Sequence, residues 1–276
     1  MRSQNFISSE FYRFVDVSVT RLGKGIRLIE GERGGRYPFS NSLLVNECLI
    51  DSGAGRVLEG LSFETVINSH WHEDHIAMNC RARKVMVHHL DSRAVEDFDE
   101  FKERYAIGDA IKLFVNFQFC EVDEVFDDGQ NLDFGVEILP IHTPGHSVGH
   151  CCFLIDGRIL FLGDIDLSFP WYGCLDCSVT DFLDSIEKIR KLADEVEIAV
   201  PGHGSVVRGD ELASRLDNYK EIILERERRI KELLKSGKDP VGKGVIYRRL
   251  PEPVDVFRHF EKVMVEKHIE RLRKKI

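Results

Sequence analysis

Long apolar runs are missing from this chain of 276 residues. None approaches the roughly 18 residues that a bilayer-crossing helix needs, so no membrane partner is expected. The opening residues, Met1-Arg2-Ser3-Gln4-Asn5-Phe6, lack the apolar stretch of a secretory signal. Cysteine is sparse and odd in number, seven residues at 48, 80, 120, 151, 152, 174 and 177. Disulfide-built domains are short and cysteine-dense, so no disulfide framework is expected, and the default location is cytoplasmic. Only 8 prolines, no internal repeat and no low-complexity segment interrupt a chain that is 43% hydrophobic. That excludes a disordered or fibrous class and leaves one substantial domain with a smaller appendage.

Charge is plentiful but unevenly placed. Residues 221–276 hold 16 Lys/Arg against 10 Asp/Glu, whereas residues 1–220 hold 22 against 37. A basic tail on an acidic body reads first as a solvated helical surface and second as a site for an anionic partner such as nucleic acid.

Histidine is dense in one place. Ser69-His70-Trp71-His72-Glu73-Asp74-His75 spells H-x-H-x-D-H. Neighbouring imidazoles repel once one protonates, and a divalent metal removes that conflict by taking their neutral nitrogens as ligands. His70 and His72, two apart, point to one side of an extended segment. Asp74 and His75 diverge and can serve a second ion. Three further apolar runs each end in a Gly-containing loop with one metal-capable side chain: Thr143-Pro144-Gly145-His146, Phe161-Leu162-Gly163-Asp164 and Pro201-Gly202-His203-Gly204. Functional groups on loops held by a rigid sheet are a common way to build an active site.

Alternation and turn residues predict strands at 14–19, 26–30, 42–50, 65–68, 84–88, 136–141, 151–155, 158–161 and 197–200. Asp156-Gly157 marks a hairpin between two of them. Helices are predicted at 73–83, at 91–105 as an acidic solvated face, at 179–192, and in the tail at 210–235 and 254–274, with a Gly/Pro-rich link at 237–253. Residues 110–119 fit helix or strand equally. These patterns alone say α/β or α+β.

In its motifs and their order, over residues 12–205, the chain resembles the metallo-β-lactamase superfamily and specifically its hydroxyacylglutathione-hydrolase (glyoxalase II)-like branch. His72 separates it from the di-iron flavoprotein branch, which carries an acid there. The resemblance implies an α+β fold, a four-layer αββα sandwich, with residues 1–208 as the catalytic domain and 209–276 as a helical C-terminal extension. It implies that His70, His72 and His146 bind one metal ion, that Asp74, His75 and His203 bind a second, and that Asp164 bridges both. Asp51, in Leu49-Ile50-Asp51-Ser52-Gly53, would support the ligands without being one. Two divalent ions are implied, with zinc leading and manganese or iron as alternatives.

Two ions sharing a carboxylate share a solvent molecule whose pKa they lower, so a metal-bound hydroxide is the expected nucleophile, with Asp74 orienting it. The leading expectation is a metal-dependent hydrolase of small thioesters or esters, lactones included. The glutathione-contacting basic pattern of the glyoxalase branch has no counterpart here. The runner-up is a phosphodiesterase or RNA nuclease, suggested by the basic tail, whose residues 265–272 resemble the C-terminal helix of a single-stranded-RNA nuclease. A third reading is a mononuclear-iron oxygenase of the persulfide-dioxygenase type. The pocket is expected to be walled by the insert at 91–119, the loop at 167–177 and the tail. Cys174-Leu175-Asp176-Cys177 is read as pocket lining. His142 and His150 are read as packing or ligand-orienting residues, Trp71 and Glu73 are given no role, and Ser185-Ile186-Glu187-Lys188 is read as a chance S-x-x-K.

Overall fold

Among the described residues, thirteen short strands build two sheets. The computed structural model describes residues 19–274. The first sheet runs in the order β1 (Val19–Gly23), β2 (Ile26–Ile29), β3 (Ser42–Val45), β4 (Cys48–Ile50), β5 (Thr65–Ile67), β6 (Lys84–His88) and β7 (Glu124–Phe126). The second comprises β8 (Leu132–Asp133), β9 (Glu137–His142), β10 (Cys151–Ile155), β11 (Ile159–Gly163), β12 (Ile198–Pro201) and β13 (Val207–Arg208), adjacent in that sequence. The strand expected at 14–19 lies outside the described residues except for Val19, where β1 begins.

Period-2 alternation places Leu43, Val45, Ile50, Ile67 and Met86 of the first sheet against Ile138, Phe153, Ile159, Phe161 and Val200 of the second. The opposite faces are buried too. Leu44, Leu49 and Val66 pack with Leu58 and Phe63. Leu160, Leu162 and Ala199 pack with the helices α5 (Val179–Arg190), α6 (Gly209–Lys235) and α7 (Val254–Lys274). Sheets buried on both faces read as near-continuous apolar runs, and stacking them gives the expected αββα sandwich with a helical C-terminal extension. No helix among the described residues is long and apolar enough to cross a membrane.

Several expectations are corrected in detail. The strand at 42–50 is two strands, folded back at Asn46, whose φ is 52°. The helix at 73–83 is a single turn, α2 (Glu73–Ile76), followed by a tighter turn at Asn79–Arg81. The acidic helix at 91–105 divides into α3 (Ser92–Glu96) and α4 (Phe98–Tyr105). Asp97 is extended and its side chain accepts the Glu100 N–H at 2.8 Å, so a strong N-cap residue restarts the helix. In the ambiguous segment at 110–119, a 3-10 turn at 108–113 covers the first part, and residues 114–119 are neither helix nor strand. The Asp156-Gly157 hairpin is as expected, with φ of 52° and 63° at its two central residues. One disulfide joins Cys80 to Cys120, with Cα atoms 5.6 Å apart, because the insert folds back over the turn after α2. The expectation of no disulfide framework is corrected to that one bond; the other five cysteines are free and buried.

Candidate metal centre

The loops that follow β5, β9, β11 and β12 meet at one end of the sandwich. They bring together all seven residues singled out from the sequence. His70, His72, His146 and Asp164 form one group of ligand-capable atoms, and Asp74, His75 and His203 form another beside it. In the first group His70 Nε2 lies 3.0 Å from His72 Nδ1, and His146 Nε2 lies 3.2 and 2.8 Å from the same two atoms. Asp164 Oδ2 completes it, 3.2 Å from His146 Nε2. The other oxygen of Asp164 serves the second group, 3.0 Å from His75 Nε2 and 3.5 Å from His203 Nε2. Asp74 Oδ2 lies 3.1 Å from His203 Nε2.

The donor chemistry fits two cations. His75 Nδ1 pairs with Asp51 Oδ2 at 2.6 Å, which puts its proton on that nitrogen. Its Nε2 then faces Asp164 Oδ1, and both atoms are buried without a hydrogen-bond partner. Two facing lone pairs in a buried site are costly unless a cation lies between them. The surrounding carboxylates favour positive charge at this point, whether a proton or a metal cation. Burial opposes a charged His75, but the Asp164, Asp51 and Asp74 carboxylates outweigh it and raise its pKa well above the ordinary value. Burial would raise Asp164 as well, yet His203, His75 and His146 hold it well below the usual carboxylate range. Burial and then neighbouring imidazoles lower His70 and His72, keeping them neutral and able to ligate.

The backbone is packed around these donors. Gly53 has no room for a side chain: a Cβ there would stand 1.5 Å from the Asp74 carbonyl oxygen. Ser40 Oγ donates to that same oxygen at 2.6 Å. Asn41 clamps the His203 loop, donating from its amide side chain to the Pro201 and Gly204 carbonyls at 2.9 Å each, while its backbone N–H donates to Gly202 O at 2.7 Å. Asp51 also accepts from the Ser69 backbone N–H and hydroxyl, both at 2.7 Å. His150 Nε2 accepts the Asp164 N–H at 3.0 Å, a ligand-orienting role as read from the sequence, whereas His142 stacks on His88 with centroids 4.3 Å apart. Ser40 and Asn41 went unread. Their only local signal is a run of buried polar residues, Ser40-Asn41-Ser42, entering a strand.

Above the donors lies a cavity of about 360 Å³. His72, Asp74, His146, Asp164 and His203 reach it from below, and its walls are largely aromatic: Tyr37, Tyr105, Phe114, Phe169, Trp171, Tyr247, Phe257 and Phe260. Seven of these come from the insert, the 167–177 loop and the tail, as expected; Tyr37, from the loop before β3, was not anticipated. Glu73, given no role from the sequence, is buried in the wall and accepts hydrogen bonds from the Tyr37 hydroxyl at 2.8 Å and from the Tyr105 hydroxyl. Burial and then the Asp74 charge push its carboxyl up to about 7. Trp71 is buried against Phe101 and Tyr105, and its indole N–H donates to Asp176 at 3.1 Å. Cys174 and Cys177 do not line the cavity, contrary to expectation. They are buried behind His72 and His146, because the turn carrying them faces inward.

Comparison with known proteins agrees with this geometry. The family model of the Metallo-beta-lactamase superfamily matches residues 49–203. The chain is 27% identical over 216 residues to an acyl-coenzyme A thioesterase of Bos taurus, covering 73% of this chain and 74% of that one. It is 28% identical over 171 residues to an atrochrysone carboxyl ACP thioesterase of Aspergillus fumigatus, covering 58% of this chain and 47% of that one. Among solved structures, a metallo-beta-lactamase family protein from Thermus thermophilus superposes with a TM-score of 0.66 at 19% identity, covering 94% and 93% of the two chains. With that family match spanning more than half of its length and every metal-capable loop converging inside it, the chain belongs to the metallo-beta-lactamase superfamily of metal-dependent hydrolases.

Proposed function

We propose that the chain hydrolyses thioesters of apolar acyl groups at a two-ion centre. His70, His72, His146 and Asp164 would hold the first ion, and Asp74, His75 and His203, with Asp164 between the two groups, would hold the other. Zinc is the leading choice for a set rich in imidazole, with manganese or iron as alternatives. Residues 1–208 carry this centre, and residues 209–276 serve as an extension that walls the pocket.

The single observation that carries the reading is the aromatic cavity seated on the donors. Apolar walls favour an apolar acyl chain by about 25 cal/mol per Å² removed from water, and among the lining residues Arg36 is the one arginine or lysine that a phosphodiester could use. Three of the eight arginines in the basic tail, residues 221–276, support the same choice. Arg228 is paired with Glu221 and Glu225 and Arg271 with Glu227, while Arg226 is buried against Pro170 O and the Tyr172 hydroxyl, so these three cations are committed to partners within the chain. Two similar proteins bear the name of thioesterases, one of acyl-coenzyme A and one of an acyl carrier protein. The glyoxalase II-like branch, which the motifs resemble, cleaves the same kind of bond.

Bound divalent ions supply Lewis acidity and lower the pKa of water at the site. The chain's own residues do the rest. Asp164 sets the spacing of the two groups by giving one oxygen to each. Asp74, buried and held by Ser40 through its carbonyl, orients the attacking water. The aromatic walls exclude bulk solvent and seat the acyl chain so that its carbonyl faces the donors. A thiolate departs without a proton, so no separate protein acid is needed.

The test is turnover of an acyl thioester series from acetyl to palmitoyl, beside bis-p-nitrophenyl phosphate, with and without a chelator. Chelator-sensitive thioester turnover that improves with acyl length is expected. Phosphodiester turnover alone would replace this reading with the nuclease, and persulfide-dependent oxygen uptake with one iron per chain would replace it with the oxygenase.

A further inference from the structure

Each of the five imidazoles at the centre turns one nitrogen inward and is held from behind by the other. Four lean on oxygen. His70 Nδ1 meets Ser69 Oγ at 2.9 Å, His146 Nδ1 meets the Trp171 carbonyl at 2.9 Å, and His75 Nδ1 meets Asp51 at 2.6 Å. His203 Nδ1 lies 2.9 and 3.1 Å from the Gly35 and Phe39 carbonyls. His72 differs in both respects. It turns Nδ1 inward, and its outer Nε2 meets the Cys174 sulfur at 3.7 Å. Among the described residues no other hydrogen-bonding group reaches that nitrogen.

The sulfur is placed by more than chance packing. Cys174 is fully buried, and the turn that carries it is braced on the His146 loop. The Cys174 backbone N–H donates to Cys177 Sγ at 3.3 Å, and the Cys177 thiol donates to the His146 carbonyl at 2.8 Å. The C-x-x-C turn therefore touches two members of the first donor group at once, one through a ring and one through its backbone.

We infer that Cys174 is a positioning residue for the first metal group: its sulfur accepts the His72 Nε2–H and so keeps Nδ1 bare and aimed inward. This rests on the two-ion reading proposed above. A neutral imidazole carries one N–H, and whatever accepts it decides which nitrogen is left to ligate. Partners of this kind orient the ring and raise ligand affinity. Sulfur is a weak, long-range acceptor, so His72 is the imidazole held least firmly by its outer nitrogen, and the first group is the one more easily perturbed from behind.

Two substitutions separate packing from hydrogen bonding. Cys174→Val fills the buried space and removes the acceptor, whereas Cys174→Ser keeps an acceptor in a smaller side chain. Zinc affinity is read by competition with a chelator, and the ligand field by the visible spectrum of the cobalt-loaded proteins. In Cys174→Val one of the two ions is expected to bind about 10- to 100-fold more weakly with a changed cobalt spectrum. The other ion should be unaffected, and Cys174→Ser should recover part of the affinity. Wild-type affinity for both ions in Cys174→Val, or equal losses in the two variants, would overturn the role. Fewer than two ions bound by the unaltered protein would instead overturn the two-ion reading, and the inference with it.

Discussion

Asp164 gives one carboxylate oxygen to each donor group, within 3.0–3.5 Å of three imidazoles. Replacing it with asparagine removes the negative charge and one of the two anionic oxygens. Asp164→Asn is expected to bring metal content below two per chain and to cut thioester turnover by more than the roughly 100-fold that loss of an outer partner costs; elemental analysis and kinetics on the same preparation check both. Gly53→Ala acts on the same centre from behind. Its Cβ would stand 1.5 Å from the Asp74 carbonyl, so the Asp74 turn must move, and chelator competition should report weaker binding at the second group. The candidate ligands were legible only together: His146, Asp164 and His203 each look ordinary alone, and it is their recurrence on Gly-containing loops beside the H-x-H-x-D-H motif that points to metal chemistry. Asn41 was not legible, since its partners Pro201 and Gly204 lie 160 and 163 residues away and an asparagine before a strand has many ordinary uses.

At the scale of elements, α7 and the link before it do what no local pattern announces. Phe257, Phe260 and Tyr247 wall the cavity over the donors. The helical spacing of the tail was readable, and both helices lie where periodicity put them, but which face would meet the pocket depended on tertiary packing. Phe257→Ala is expected to shift acyl-length preference toward longer chains with little effect on kcat for short ones, measured across the thioester series. The end of β6 meets the end of β9 where His88 stacks on His142. Burial first, and then His142 and His89, lower the His88 pKa from 6.5 to about 4. Between those values the unfolded chain binds the extra proton, so stability rises with pH over this window and is lost on acidification through it. The melting temperature should therefore fall from about pH 6.5 to about pH 4, and His88→Asn should make that fall shallower. A pH-independent melting temperature, or an unchanged slope in the variant, would contradict the assignment. The split of the acidic helix at Asp97 is the converse lesson: periodicity ran through the break, and a single capping side chain decided it.

For the whole molecule, the two buried sheets and their helical cover were foreseeable from apolar runs only as an α and β mixture; stacking them as αββα needed the resemblance carried by the motifs. The disulfide between Cys80 and Cys120 joins segments 40 residues apart, a proximity that spacing alone does not disclose. The centre also ties the two sheets together, with His70, His72, Asp74 and His75 following a strand of the first and His146, Asp164 and His203 following strands of the second. Bound ions should therefore stabilise the entire fold, by about 2.7 kcal/mol per ion at a free concentration 100 times its Kd. Chelation is expected to lower the melting temperature, and adding metal back should restore it. The most direct test of the account is the metal content per chain of untagged protein, determined by elemental analysis before and after stripping, with thioester turnover followed on the same samples. Two divalent ions per chain, with turnover lost on stripping and regained on reloading, is the result expected. Full turnover by the stripped protein would contradict the account.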